Sequence, residues 1–412
     1  VRRTRVAAAV VTAFALVTGT AACGGGGSGA DSDTIELWLM GDKAKAMDTV
    51  STAFTAETGI KVKVQSIPWK NARDKMSTAI ASGDGPDVVQ VGHSFLAEFA
   101  DAGALLDLSD KVAGTPELAA ANFFPASAET MQVGGKVVSV PWIADTRVLF
   151  YRTDVLQEAG YPQAPATWDE LKGTATKLAA RGDGNYGIGL NTDDQFLPII
   201  LTWQAGGEVA QGDRATFDTA PFRRAVEFER SFFTAGLTPK KAQPDADMVQ
   251  GFKTGKIPMF VSGPYMATLL GNQAPELAGK WAVAPMPKDR TGTSLMAGSN
   301  LAIFSESEKA DESVQLMAYL SRKQTQEQWF QATNDLPARQ DSLEALGSGG
   351  DANLAVYYRQ MSDAKIVPQI KAWGAVAPEM VRLMQQVCVG DNQPESAITG
   401  FAAKAGELTG AG

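Results

Sequence analysis

The sequence predicts an α/β chain folded as two lobes, and three observations carry that expectation. Strand-like and helix-like periods alternate from Ile35 to Val91, the pattern restarts near Val137, and no internal repeat of 20 to 50 residues is present. Ile35, Leu37 and Leu39 alternate with polar or aromatic neighbours, as a strand does. Met47, Val50 and Phe54 then recur at helical spacing until Gly59 stops them, and Ile60 to Val64 alternates again. A second helix fits Ala72 through Met76 to Ile80, ended by Gly83, before the short buried-type strand Asp87 to Val91. This β-α-β-α-β succession predicts a parallel, doubly wound sheet, in which ligands bind beyond the carboxyl ends of the strands. Those ends are Gly41-Asp42 and Gly92-His93-Ser94.

In the second run, Val138, Val140, Val148 and Phe150 are strand candidates within 137–151. Thr167-Trp168-Asp169-Glu170-Leu171 opens a helix, with Thr167 and Glu170 spaced as a capping box. Tyr186 to Leu190, Ile257 to Val261, Trp281 to Ala284 and Ile303-Phe304 read as further strands. The helix Ser313 to Leu320 carries the apolar stripe Val314, Leu316, Met317 and Leu320.

The first 22 residues read as an export address. Arg2, Arg3 and Arg5 precede an apolar run from Val6 to Leu16, broken only by Thr12, and the small residues Thr18 to Ala22 lead to Cys23. Small residues before a cysteine read as a lipobox, so Cys23 is the expected lipidation site, although Thr20 stands where Leu is commoner. Residues 23–32 then form a flexible, glycine-rich tether. Removing three arginines takes the formal charge from −9 to −12, which argues against nucleic acid as a partner. Besides Cys23 only Cys388 remains, with His93 the sole histidine, so neither an internal disulfide nor a His/Cys zinc cluster is expected. No cofactor is expected either.

Several segments, taken in order, resemble the extracellular solute-binding protein family that includes maltose-binding protein. They are Phe54 to Val62, Ser82 to Val89 with its Gly85-Pro86-Asp87, Pro165 to Leu171, Phe252 to Met259, Ser262-Gly263-Pro264-Tyr265 and Leu336-Pro337-Ala338-Arg339. The resemblance implies a two-lobe, periplasmic-binding-protein-like fold with doubly wound sheets and crossing hinge strands. Carrying over the family's crossovers gives 33–144 plus 292–341 for the first lobe and 145–291 plus 342–412 for the second. It also implies a monomeric lipoprotein that captures a small carbohydrate for an ABC permease, the ATPase being a separate chain. This chain has no phosphate loop of its own, since Gly255-Lys256 runs into Ile257.

A sugar pocket needs rings for flat C–H faces and polar groups for the hydroxyl rim. By resemblance Tyr265 and Trp373 are the stacking rings, a core tyrosine and a buried helix anchor being the alternatives. Asp193, Asp194, Gln195 and Phe196 resemble the second lobe's cleft loop, although Asn191 to Asp194 also suits an Asx turn. Asp42 and Asp145 are candidate hydroxyl acceptors, and His93 and Ser94 follow the third strand. Asn300 and Arg339 complete the candidate ligand residues. Trp69 is left open between cleft and packing and Trp203 is assigned to packing, while Trp142, Trp168, Trp281 and Trp329 are expected in the core. His93 is adjacent to Ser94 and follows no nucleophile elbow, so a hydrolase triad is not expected. Two rivals stay open: a secreted lipoprotein glycosidase with two carboxylates across a sugar cleft, and the same binding fold with a non-sugar ligand.

Overall fold

A computed structural model of the chain describes residues 33–390 and 392–410. The export address and the whole tether, with Cys23, lie outside them. The chain begins with β1 (Thr34–Met40), α1 (Ala44–Thr58), β2 (Lys61–Ile67), α2 (Trp69–Ser82) and β3 (Val88–Gly92). Gly59 and Gly83 close the two helices in the left-handed conformation. β1 pairs in parallel with β2 along its whole length and with β3 at Leu37 and Trp38. Every residue of β3 is buried, as in a central strand, and its one polar side chain, Gln90, is spent on the Met40 N–H and the Ser299 hydroxyl.

Two strands follow almost without a break, β4 (Val140–Thr146) and β5 (Val148–Arg152). Only Arg147 separates them, yet they belong to different sheets. Thr146 pairs with Met296, whereas Val148 pairs with Ser262. Beyond β5 come α3 (Trp168–Ala179), α4 (Phe196–Gln204) and α5 (Ala220–Thr234). Thr167 caps α3 by accepting from the Glu170 N–H at 3.2 Å, while Glu170 reaches back to the Ala166 N–H at 2.7 Å. The next elements are β6 (Met259–Ser262), α6 (Tyr265–Gln273), β7 (Trp281–Ala284) and the ten-residue β8 (Ser294–Ile303). After α7 (Ala310–Leu320) and α8 (Lys323–Thr333), the chain adds β9 (Leu336–Pro337), α9 (Ala352–Ser362), β10 (Ala364–Ile366) and α10 (Trp373–Met384).

The larger sheet has the order β9-β4-β8-β3-β1-β2, with β10 on β8, and the smaller has the order β6-β5-β7. The parallel expectation holds for β1, β2 and β3. It does not extend to β8, which runs antiparallel to both β3 and β4, or to the smaller sheet, whose pairs are both antiparallel. A chain that returns from one lobe to the other enters the sheet from the opposite end, which reverses those strands. Tyr186 to Leu190 forms only an isolated bridge, Gly189 to Phe260. Gly187 lies so close to α3 that a Cβ would stand 2.2 Å from the Ala175 carbonyl oxygen, and the segment's N–H groups donate to the carbonyls of Lys256, Leu237 and Met259.

Where β8 crosses β4, the register shifts between Ser299 and Asn300. Gly298 there has φ of +131°, and a Cβ would meet the Ile143 carbonyl oxygen at 2.0 Å, so the crossing admits no side chain. Trp142 and Trp329 pack together with centroids 5.2 Å apart, and Trp168 stacks on Phe228 at 4.1 Å, all three indoles being buried. Trp203 is likewise buried, whereas Trp281 is only half-covered, stacked on Phe150.

Candidate ligand-binding cleft

A cleft of about 480 Å³ opens where the loop after β3 faces the loop before α4 and the start of α10. Its walls bring together Ser94, Asp193, Asp194, Gln195, Phe196, Tyr265 and Trp373, seven of the twelve candidate ligand residues. Asn191, Phe95 and the α10 residues Gly374, Ala377, Pro378 and Val381 also line it. The last four were outside the sequence-based expectation, because apolar residues on a helix face look the same whether they meet core or ligand.

The two rings differ in exposure. Tyr265 is 44% exposed, and its hydroxyl donates to Asp245 Oδ1 at 3.3 Å. Trp373 is 2% exposed, its indole N–H donating to Gln195 Oε1 at 3.1 Å. The loop before α4 combines turn and wall. Asn191 Oδ1 accepts from the Asp193 N–H, Asp194 Oδ1 accepts from the Phe196 N–H at 2.8 Å, and Asp193 accepts from Gln385 at 2.7 Å.

Behind the wall residues Asp194 and Phe196, Arg147, the single residue between β4 and β5, bridges carboxylates from two parts of the chain, and neither it nor Asp145 lines the cleft. Its Nη1 donates to Asp145 Oδ2 at 3.4 Å, its Nε stands 3.7 Å from Asp194 Oδ2, and its guanidinium lies over the Phe196 ring. Asp145 Oδ1 is buried without a hydrogen-bond partner, and burial, opposed by Arg147, raises the carboxyl pKa. Gly263 makes room for this pair: a Cβ there would lie 2.7 Å from Asp145 Oδ1 and 2.8 Å from Arg147 Nη1. Sequence reasoning passed over Arg147; its place between two strand-like runs was the available signal.

The structure gives three other candidates different partners. His93 is buried and donates through Nε2 to Asn300 Oδ1 at 3.0 Å, a tautomer fixed by the Asn300 amide N–H groups, which are spent on Thr130 and Ser139. Burial lowers the His93 pKa to about 4. Asn300, fully buried on β8 beside Val91 of β3, is thus committed to the interior. Arg339 is held by Asp341, the Ser321 carbonyl and Asn122, and it does not line the cleft. Asp42 is exposed just past β1, beside Lys43, whose ammonium pairs with Asp335. Trp69 is 47% exposed against Gly41 and Gly92, at the carboxyl ends of β1 and β3.

Among the described residues no group of three His, Cys, Asp or Glu side chains is placed to hold a metal, and no helix is long and apolar enough to cross a membrane. The profile of a family described as bacterial extracellular solute-binding proteins matches residues 38–327. A binding protein of Brucella abortus is 27% identical over 394 residues, covering 92% of this chain and 94% of its own. The diacetylchitobiose binding protein DasA of Streptomyces coelicolor is 26% identical over 384 residues, 88% of each chain. Among solved structures, the sugar-binding protein MalE of Xanthomonas citri superposes with a TM-score of 0.86 at 30% identity, covering 92% of this chain and 98% of that one.

Proposed function

Because the chain belongs to the bacterial extracellular solute-binding protein family, we propose that it is the capture component of an ABC importer and takes a carbohydrate into the cleft between its lobes. The observation that carries this reading is the pairing of an exposed ring with carboxylates on the walls of one cleft. Tyr265 is 44% exposed, and Asp193 and Asp194 line the same cleft. A pyranose supplies both complements, an apolar face for the ring and a hydroxyl for the carboxylate. The similar proteins described as binding sugars, MalE and DasA, support the same ligand class.

The family and its similar members are binding proteins, and the function is capture and release. The change of sheet at Arg147 supports lobes of 33–144 plus 292–341 and of 145–291 plus 342–412, joined at β4–β5, β7–β8 and the segment after β9, whereas β10, within the last of these ranges, pairs with β8 in the larger sheet. Ligand touching both lobes favours the closed arrangement, so a membrane permease reads occupancy as shape. The family is extracellular, and the basic, apolar and small-residue run ending at Cys23 supports export with a diacylglycerol anchor. The protein acts as a monomer, and the ATPase of the importer is a separate chain.

Calorimetric titration with mono- to hexasaccharides tests the reading, run beside an assay for released reducing ends. Saturable binding without hydrolysis is the expected result. Turnover of any bound oligosaccharide would replace capture by glycosidase chemistry.

A further inference from the structure

The two aspartates on the cleft wall are held differently. Asp194 has both carboxylate oxygens engaged, Oδ1 by the Phe196 N–H at 2.8 Å and Oδ2 beside Arg147 Nε at 3.7 Å. Asp193 has one: its Oδ1 accepts from Gln385 Nε2 at 2.7 Å, and among the described residues its Oδ2 accepts from none. The turn itself does not fix that carboxylate. Asn191 Oδ1 holds the Asp193 N–H at 3.3 Å, but the side chain is exposed and its two torsions stay free unless a group outside the loop takes hold of it.

Gln385 does so from 192 positions away, and the end of α10 is shaped to let it. Trp373, Ala377 and Val381 line the cleft at every fourth residue, and Gln385 is the next step of that stripe. There the α-helix gives way to a single π-turn, Gln385–Val389, closed by the Gly390 N–H on the Gln385 carbonyl at 2.9 Å. Wide turns of this kind are rare and gather at functional sites. Its inner side is anchored, since Val387 and Cys388 are buried and the Val387 carbonyl accepts from Arg230 Nε at 2.9 Å. Gly390 is needed to close it, because a Cβ there would stand 2.7 Å from the Gln386 carbonyl oxygen. Gln385 is left on the outer, exposed side. Trp373, the first residue of α10, meanwhile donates to Gln195. The helix therefore grips the loop before α4 from both of its ends.

We propose that Gln385 is the positioning residue for Asp193: it holds Oδ1 so that Oδ2 is presented to the ligand, and Asp193, not Asp194, is the carboxylate that reads a sugar hydroxyl. This inference rests on the carbohydrate reading above and adds to it the group that orients the acceptor. An acceptor already held in place loses no torsional freedom when the ligand arrives, which strengthens the bond it makes.

The test titrates α-1,4-linked glucose oligomers and β-1,4-linked N-acetylglucosamine oligomers of two to four rings into the parent, Gln385→Ala, Gln385→Glu, Asp193→Ala and the double variant Gln385→Ala/Asp193→Ala. For the oligomer that binds, Gln385→Ala should weaken affinity about three- to tenfold, the size of one hydrogen bond, at an unchanged melting temperature. Gln385→Glu keeps the shape but has no donor at neutral pH, so it should weaken affinity at least as much. In the Asp193→Ala background, Gln385→Ala should change affinity less than about twofold, because its route to the ligand is gone. Parent-like affinity in Gln385→Glu, or a Gln385→Ala loss that is the same with and without Asp193, would overturn the positioning role. A parent that binds no oligomer of either series would instead remove the carbohydrate reading, and the role of Asp193 with it.

Discussion

Trp373 and Tyr265 line one cleft, yet protein covers all but 2% of the first ring while 44% of the second is open. The indole N–H of Trp373 is spent on Gln195, which ties the start of α10 to the loop before α4. Tyr265 is anchored at its rim, through its hydroxyl, to Asp245. The two rings therefore separate in mutagenesis. Tyr265→Ala should cost about 1–3 kcal/mol of sugar binding, the range for covering a large apolar group, with little change in melting temperature. Trp373→Ala should lower binding too, but through the fold, since truncating a buried Trp costs about 3–5 kcal/mol of stability. Titration and thermal melts of the two variants check this, and a Trp373→Ala protein that melts like the parent would contradict the buried-anchor role.

Gly263→Ala tests the carboxylate–arginine cluster without touching either partner. The new methyl would stand 2.7 Å from Asp145 Oδ1 and 2.8 Å from Arg147 Nη1, and both atoms would have to move. Displacing a hydrogen-bonded charge costs about 1.5–3 kcal/mol, so sugar affinity should fall by one to two decades. Unchanged affinity would show that the ligand does not use this cluster.

How much of this was legible beforehand follows from the range of the interactions. β1, α1, β2, α2 and β3 were readable because each is signalled within its own residues, by period and by a closing glycine. The antiparallel reversal at β8 was not, since strand direction is set by which lobe the chain returns from. Among candidate site residues, the run Asp193 to Phe196 gathers at the cleft as a loop should. Asn300 and His93 face inward because they satisfy each other and Thr130, a partnership across more than 160 positions that no local pattern announces. Arg147 acquires its importance from two carboxylates, one of them 47 positions away.

The passage of the chain from one sheet to the other at Arg147 is short enough to act as a hinge. Small-angle scattering should show a smaller radius of gyration with a saturating oligosaccharide than without. An identical radius in the two states would mean that ligand is captured without lobe closure.

Anchoring can be tested apart from the fold, because Cys23 precedes β1 by a glycine-rich segment. Cys23→Ala should move the protein from the membrane fraction to the soluble one and leave sugar affinity unaltered. A variant that stays with the membrane would rule out the thioether-linked lipid as the anchor.

Two buried groups set opposite pH dependences, and their overlap gives the last prediction. Glu229 in α5 is 1% exposed, both of its carboxyl oxygens lack partners, and burial, with Asp194 adding to it, raises its pKa from 4.5 to about 8. Between those values the native state holds a proton that the unfolded chain has lost, so stability falls as pH rises through the window. His93 works the other way: its pKa drops from 6.5 to about 4 on burial, so the unfolded chain holds the extra proton and stability rises with pH between those values. The slopes oppose each other from about 4.5 to 6.5 and leave Glu229 alone from about 6.5 to 8. The melting temperature should be nearly level over the first interval and decline over the second. Glu229→Gln removes the titration while keeping the shape of the side chain, and should abolish the decline and raise the melting temperature near pH 8. If that variant declines as the parent does, another group titrates there and Glu229 is ionised in the native state.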